Sequence, residues 1–163
     1  MRDDMSQLEL AVENADATRL TVLLLDGVWT QERAREINTP NPDDATLLVR
    51  ASVRASRACA TLLLKYRADP DTACGCYGET ALQVCCARGA VDVAKALIEA
   101  GADINTSDVL GRTPLLLSCL KNWPACTALM LGAKAESECR LQSRSHATRS
   151  AHDASRALPG LTR

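Results

Sequence analysis

Apolar residues in this chain come in short bursts of helical spacing separated by polar breaks, and the bursts recur. After Thr46 come Leu47, Leu48 and Val49, then a polar break around Arg54, Ser56 and Arg57, then Cys59, Leu62, Leu63 and Leu64, and then Ala68 Asp69. Shifted by 34 residues, the same order returns after Thr80: Leu82 falls under Leu48, Arg88 under Arg54, Val93 under Cys59, Leu97 and Ile98 under Leu63 and Leu64, and Ala102 Asp103 under Ala68 Asp69. A further shift of 33 carries Gly78, Thr80 and Leu82 onto Gly111, Thr113 and Leu115. Spacings of three and four mark a helix face, and a Thr just before one can accept a bond from an amide that the first turn leaves unpaired. Each unit therefore predicts a helix, a turn, a second helix and a protruding loop. A period of this length is the mark of a solenoid, whose units bury their apolar faces against one another.

Particular residues punctuate the units. The openings are Gly78 Glu79 Thr80 Ala81 Leu82 Gln83 and Gly111 Arg112 Thr113 Pro114 Leu115 Leu116, and the clearest close is Gly101 Ala102 Asp103 Ile104 Asn105. Proline suits a first helical turn, which needs no amide donor, and glycine permits a left-handed stop. These openings and this close resemble the ankyrin repeat. The resemblance implies an all-α ankyrin-repeat solenoid of stacked helix-turn-helix units with protruding loops, which meets partners through its loop tips and its concave face of first helices. In the family a histidine follows Thr-Pro-Leu and ties neighbouring repeats together by hydrogen bonds. No unit here keeps it, so cohesion between units is expected to lean on apolar contact.

The pattern extends both ways. Ala11 to Gly27 reads as a helix pair of an N-terminal capping unit, with Asp16 opening the second helix and Leu20, Leu23 and Leu24 on its buried face. Between Gly27 and Ile37 lies an insertion of about seven residues relative to the Gly101–Ile104 spacing, containing Trp29, Arg33 and Arg35. Downstream, Gly132 Ala133 closes a fourth unit 31 residues after Gly101, so its second helix is expected to be two residues shorter, with Pro124 in its first turn. The division that follows is a flexible stretch at 1–4, repeats over 5–136 with units near 5–41, 42–75, 76–109 and 110–136, and a disordered basic tail at 137–163. No polar terminal cap closes the fourth unit, so its outer apolar face is open, covered by the tail, or covered by a partner.

Composition sharpens this picture. The chain of 163 residues has no Phe and only four aromatics, so a core built from Leu, Val, Ala and Cys must be thin, as in stacked short helices. Its net charge of −1 hides a tail of +3 on a body of −4, which argues against a nucleic-acid binder. Met1 Arg2 Asp3 Asp4 Met5 begins no signal-peptide pattern and no apolar run is long enough to span a bilayer. A cytoplasmic or nuclear monomer without membrane contact is expected, and in those compartments the eight cysteines are expected to be free thiols.

Chemistry-bearing constellations are few. Both histidines, His146 and His152, lie in the tail, which leaves the repeats without an imidazole. Cys74, Cys76, Cys85 and Cys86 offer four thiolates within thirteen residues, a possible zinc set, but register argues otherwise. Cys85 shares the slot of Ala51 and Ser118, Cys86 that of Ser52 and Cys119, and Cys59 and Cys126 that of Val93, so these five read as small core residues. Cys74, Cys76 and Cys139 remain, with Cys74 and Cys76 on a loop where Gly75 is inserted; two solvated thiols and a thiol-based redox or metal function are both open readings. Asp43 and Asp44 lack a matched acid or base, and no phosphate loop or nucleophile elbow appears. No catalytic residue, metal site or cofactor is expected.

The expected function is protein–protein recognition by an adaptor or scaffold, with inhibition or regulation of a partner enzyme such as a kinase as an alternative. Arg54, Arg88 and Lys121 share one register position and should align as a basic row, widened by Arg50 and Arg57. Val84 and Leu117, in the slot of Arg50, should set apolar groups beside the row, with Tyr77 and Leu110 on the loops. That mixture suits an acidic or amphipathic peptide. Solvated ends of first helices would give the same three cations, and that plainer reading stays open.

Overall fold

The computed structural model of the chain describes residues 2–25, 35, 37–41 and 43–133, with side chains from residue 6. The expected insertion residues Trp29 and Arg33, and the tail at 137–163 with Cys139, His146 and His152, lie outside the described residues. Helices run in pairs: α1 Arg2–Glu13 with α2 Ala17–Leu25, α3 Leu47–Val53 with α4 Arg57–Lys65, and α5 Ala81–Arg88 with α6 Val91–Glu99. Then α7 Pro114–Leu120 is followed by helical residues over 124–133. First helices stack on first helices (α1 on α3, α3 on α5, α5 on α7), and second helices likewise (α2 on α4, α4 on α6). The result is a two-layer, all-α stack in which every unit is bounded by its neighbours.

Each first helix starts where the threonines predict. Thr46, Thr80 and Thr113 have extended backbones, and their hydroxyls accept from the amides of Val49, Gln83 and Leu116. Pro114 occupies the first turn of α7, and Pro124 begins the last helical stretch. Asp16 accepts from the Arg19 amide at 2.9 Å and so opens α2, as its position in the capping unit predicts. In that unit, however, α1 begins at Arg2. The helix thus includes residues 2–4, expected to be flexible, and starts well before Ala11; the polar run Arg2 Asp3 Asp4 obscures the helical period there.

One turn geometry ends the helices. Ala15, Ala55, Gly89 and Asn122 follow the first helices with φ of +53°, +53°, +76° and +57°, and Arg67 and Gly101 follow second helices with φ of +62° and +95°. In each case the next amide reaches back to a carbonyl five residues earlier, as in Ser56 to Ala51 at 3.1 Å and Ala90 to Cys85 at 3.0 Å. Left-handed backbone is strained for any residue with a Cβ. Ala55→Gly is therefore expected to stabilise the protein by about 0.5 kcal/mol, the relief of strain exceeding the entropy that glycine adds to the unfolded chain. Chemical denaturation would register a raised midpoint; a lowered one would show that the Ala55 methyl is needed.

The core is one layer of leucines between small residues. Leu8, Leu20, Leu24, Leu48, Leu63, Leu82 and Leu97 are almost wholly buried, beside Ala51, Cys59, Cys85, Cys86 and Ala94. Each such leucine contributes roughly 1.5–3 kcal/mol by leaving water. None of the described aromatics is buried, which agrees with a thin core. Of the five cysteines assigned to core slots, Cys59, Cys85, Cys86 and Cys126 are buried but Cys119 is exposed. The slot that Cys86 fills is closed by the unit that follows it, and among the described residues no unit follows α7.

Polar groups also tie the units together. Gln83 stands where the family has its histidine and is fully buried: its oxygen accepts from the Thr80 amide at 2.8 Å, and its amide group donates to the Arg112 carbonyl of the next unit at 2.7 Å. A polar tie between these units thus persists without the histidine, beside the apolar contact on which cohesion is expected to lean more. Asn38 accepts from the Asp69 amide and Asp71 from the Asp103 amide, at 2.7 and 2.9 Å, which joins three successive loops. Trp123 lies over the turn at Gly89, its indole donating to the Ala87 carbonyl at 3.2 Å.

Candidate interaction surface

The protruding loops are hairpins built on a shared base. Asn41, Cys74 and Asp108 occupy equivalent places, each donating its backbone amide to the carbonyl of the residue before the cap threonine, Ala45, Glu79 and Arg112; the return amide bond goes to the Cys74 carbonyl but to the side-chain oxygens of Asn41 and Asp108. The Cys74–Glu79 hairpin is one residue longer than the Asp108–Arg112 hairpin, and Gly75 takes up the excess at φ +73°. Neighbouring hairpins are bonded through their backbones, Gly75 to the Asp44 carbonyl at 2.7 Å and Val109 to the Tyr77 carbonyl at 2.9 Å. The tips are thus held in one continuous ladder.

Asp108 organises the last hairpin. Its buried carboxylate accepts from the amides of Leu110 and Arg112 at 2.9 and 2.8 Å and from the Arg112 guanidinium at 2.6 Å. Burial works against its charge, but these donors and the arginine's positive charge outweigh that and hold the carboxyl below its ordinary range. Arg112 also pairs with Glu79 at 3.3 Å and lies 5.3 Å from the centre of the Tyr77 ring. The arginine therefore fixes the Tyr77 ring while half of that residue stays exposed. Beside it Leu110 and Val109 are 61% and 70% exposed, so rigid loops present an apolar tip of three side chains.

On the first helices, Arg54, Arg88 and Lys121 are exposed at the residue just before each left-handed turn. Among the described residues every ion pair centres on Arg50 or Arg112, so the three cations have no carboxylate partner. Arg57 is exposed as well. Arg50 differs: Glu9, Glu13 and Asp43 surround its guanidinium at 3.6, 3.1 and 3.0 Å. It fastens the capping unit to the second and does not widen a free basic row. Val84 and Leu117 are also corrected, being 8% and 2% exposed and so packed away from the surface. The slot they share with Arg50 is closed by a short apolar side chain, whereas the long arginine stem carries its charge out to the rim. Sequence reasoning missed Val109, Asp108 and Arg112; the Asp-x-x-Gly-x-Thr spacing of Asp108, Gly111 and Thr113 was the available signal.

The thiols divide sharply. Cys76, on its hairpin, and Cys119 are exposed, but Cys74, expected to be solvated, is buried at the hairpin base. Burial pushes the Cys85 thiol up to about 12, against a smaller opposing bond with Ser52, and raises Cys86 and Cys126 as well. Such thiols are poor nucleophiles because the reactive thiolate is suppressed. A brief pulse of alkylating reagent followed by peptide mapping is expected to label Cys76 and Cys119, and Cys59, Cys85 and Cys86 only on unfolding. Prompt labelling of Cys85 would contradict the packing. Among the described residues no three His, Cys, Asp or Glu side chains are grouped to hold a metal ion. A groove of about 360 Å³ lies between α4 and α6, lined by Arg57, Thr61, Lys65 and Glu99 among others, and a cavity of about 110 Å³ lies beside Met130.

Three units of helix pair and bonded hairpin therefore precede α7, and the family model described as "Ankyrin repeats (3 copies)" matches residues 8–108, more than half of the chain. The chain belongs to the ankyrin repeat family. Its repeats are 28% identical over 134 residues to human ankyrin repeat and SOCS box protein 16, covering 81% of this chain and 29% of that protein. The mouse protein of the same name is 30% identical over 116 residues, covering 70% of this chain and 25% of the relative. The Arabidopsis thaliana E3 ubiquitin-protein ligase KEG is 27% identical over 117 residues, 69% of this chain and 7% of the relative. The chain thus spans less than a third of the length of these relatives. Ankyrin repeats are protein–protein interaction modules without catalytic chemistry of their own, and no described helix is long and apolar enough to cross a membrane.

Proposed function

We propose that the chain is an adaptor, a monomer of the cytoplasm or nucleus, that holds a protein or peptide partner against its first helices and loop tips without catalysing a reaction. The observation that carries this reading is the pairing of two exposed features: three cations without a carboxylate partner among the described residues, and the apolar tip of Tyr77, Val109 and Leu110. An acidic or amphipathic segment complements both. The relatives are compatible with it, one being named for ankyrin repeats together with a SOCS box and another being an E3 ubiquitin-protein ligase. Regulation of a partner enzyme would use the same surface. A thiol-based function has less support, because Cys74 is buried and its expected companion Cys76 is not.

Affinity capture from cells tests this directly. A tagged form carrying Arg54→Glu, Arg88→Glu and Lys121→Glu, with its melting temperature matched to wild type, is expected to lose the partners that wild type retains. Capture of the same set by both forms would end the assignment of this surface. Enzyme assays on the retained proteins, with and without the chain, would separate an inhibitor from a scaffold.

A further inference from the structure

We infer that the basic row selects an extended, polyproline-like acidic segment whose carboxylates recur at every third residue. The inference rests on the proposed role of the row and adds the geometry of its partner. Arg54, Arg88 and Lys121 occupy one position at the C-terminal ends of α3, α5 and α7, and these helices pack side by side. Packed helices lie about 8–10 Å apart, so equivalent cations repeat at roughly that interval. The row has three members: the equivalent residue after α1 is the neutral Asn14, one before the left-handed Ala15. Asp92, the acid nearest Arg88 along the chain, forms no ion pair with it among the described residues.

The interval discriminates between partner conformations. A polyproline-type chain rises about 3.1 Å per residue with three residues per turn, so every third side chain returns to the same side after about 9.3 Å. A β-strand returns after two residues, about 6.7 Å, or four, about 13 Å, and matches neither. An α-helix matches at seven residues, about 10.5 Å, but must order fifteen residues to reach three cations where the extended chain orders seven. Fewer residues fixed per ion pair favours the extended form. Arginine at two of the three places adds a planar fork that can donate two parallel hydrogen bonds to one carboxylate.

The test uses synthetic peptides, each carrying three glutamates in an alanine and proline background, spaced by two, three or seven residues, titrated against the full chain at low ionic strength by fluorescence anisotropy. The three-residue spacing is expected to bind about fivefold more tightly than either other peptide, with binding weakened by added salt. Arg88→Ala should weaken it, and replacing the middle glutamate by glutamine should then cost nothing further, because both remove the same contact. Equal or tighter binding at two or seven residues, with loss of all binding on charge reversal of the row, would overturn the extended geometry and leave the row as a binding site. No charge-dependent binding by any of the peptides would overturn both.

Discussion

Replacing Gln83 with alanine is expected to cost about 3 kcal/mol of stability, one of the two largest effects at any polar or glycine position in the protein. The side chain is fully buried, and its removal leaves the Thr80 amide without its partner and takes from the Arg112 carbonyl the shorter of its two bonds, the other being from the Asp108 amide, while opening a void. An unsatisfied buried polar group costs about 1–3 kcal/mol, and the void adds to it. The damage should concentrate at the junction with the last unit, so hydrogen exchange in α7 should accelerate before exchange in α3 does. Gln83→His is expected to lose less than about 1 kcal/mol, because an imidazole can accept from Thr80 on one nitrogen and donate to Arg112 on the other. Equilibrium denaturation of the two variants decides the matter; a loss below about 1 kcal/mol for alanine would mean the amide does not hold the units together.

Gly89→Ala is expected to destabilise by about 2–3 kcal/mol. Two effects combine. The backbone there has φ of +76°, and an added Cβ would come within 2.5–2.9 Å of the Trp123 ring. The first costs about 1 kcal/mol in left-handed strain. The second forces the indole to move, with loss of its bond to the Ala87 carbonyl and of packing over the turn. Trp123→Ala made in the same protein should therefore be less than additive with Gly89→Ala by about 1 kcal/mol, a cycle that denaturation midpoints measure. Full additivity would show that ring and turn do not press on one another. Ala55→Gly carries the opposite sign because it removes a Cβ from the same left-handed turn instead of adding one, and the tryptophan over Gly89 makes the effect of adding one the larger.

Much of this fold was legible in the sequence because it is set by local chemistry repeated in register. Thr46, Thr80 and Thr113 cap helices, Asp16 opens α2, and Cys59, Cys85, Cys86 and Cys126 fill core slots, as spacing alone predicts. What register cannot convey is whether a neighbour stands beside a slot and how long a side chain fills it. Cys119 is exposed for the first reason, and Arg50 departs from Val84 and Leu117 for the second. The tie made by Gln83 escaped because an amide replaced an imidazole, a change of residue type that preserves the hydrogen bonds. The candidate surface was half legible: the exposed row and tips were named, but Arg50 is consumed by Glu9, Glu13 and Asp43.

The C-terminal end of the described stack follows the same logic. Leu116 and Leu120 hold the slots of Gln83 and Ala87 but are 44% and 64% exposed, and Leu131 in the last helical stretch is exposed as well. Burial in a stack is supplied by the next unit, so an identical position changes from core to surface at its edge.

Photocrosslinking tests most directly whether this chain is a recognition module working through its first-helix face. A photoreactive residue is placed at position 88, on the row, or at Lys95, exposed on α6 in the other layer, and the tagged chains are irradiated in cells. Partner adducts are expected from position 88, disappearing with Arg54→Glu and Lys121→Glu, and few are expected from position 95. Adducts arising chiefly from position 95, or unaffected by the charge reversals, would contradict recognition through the first-helix face.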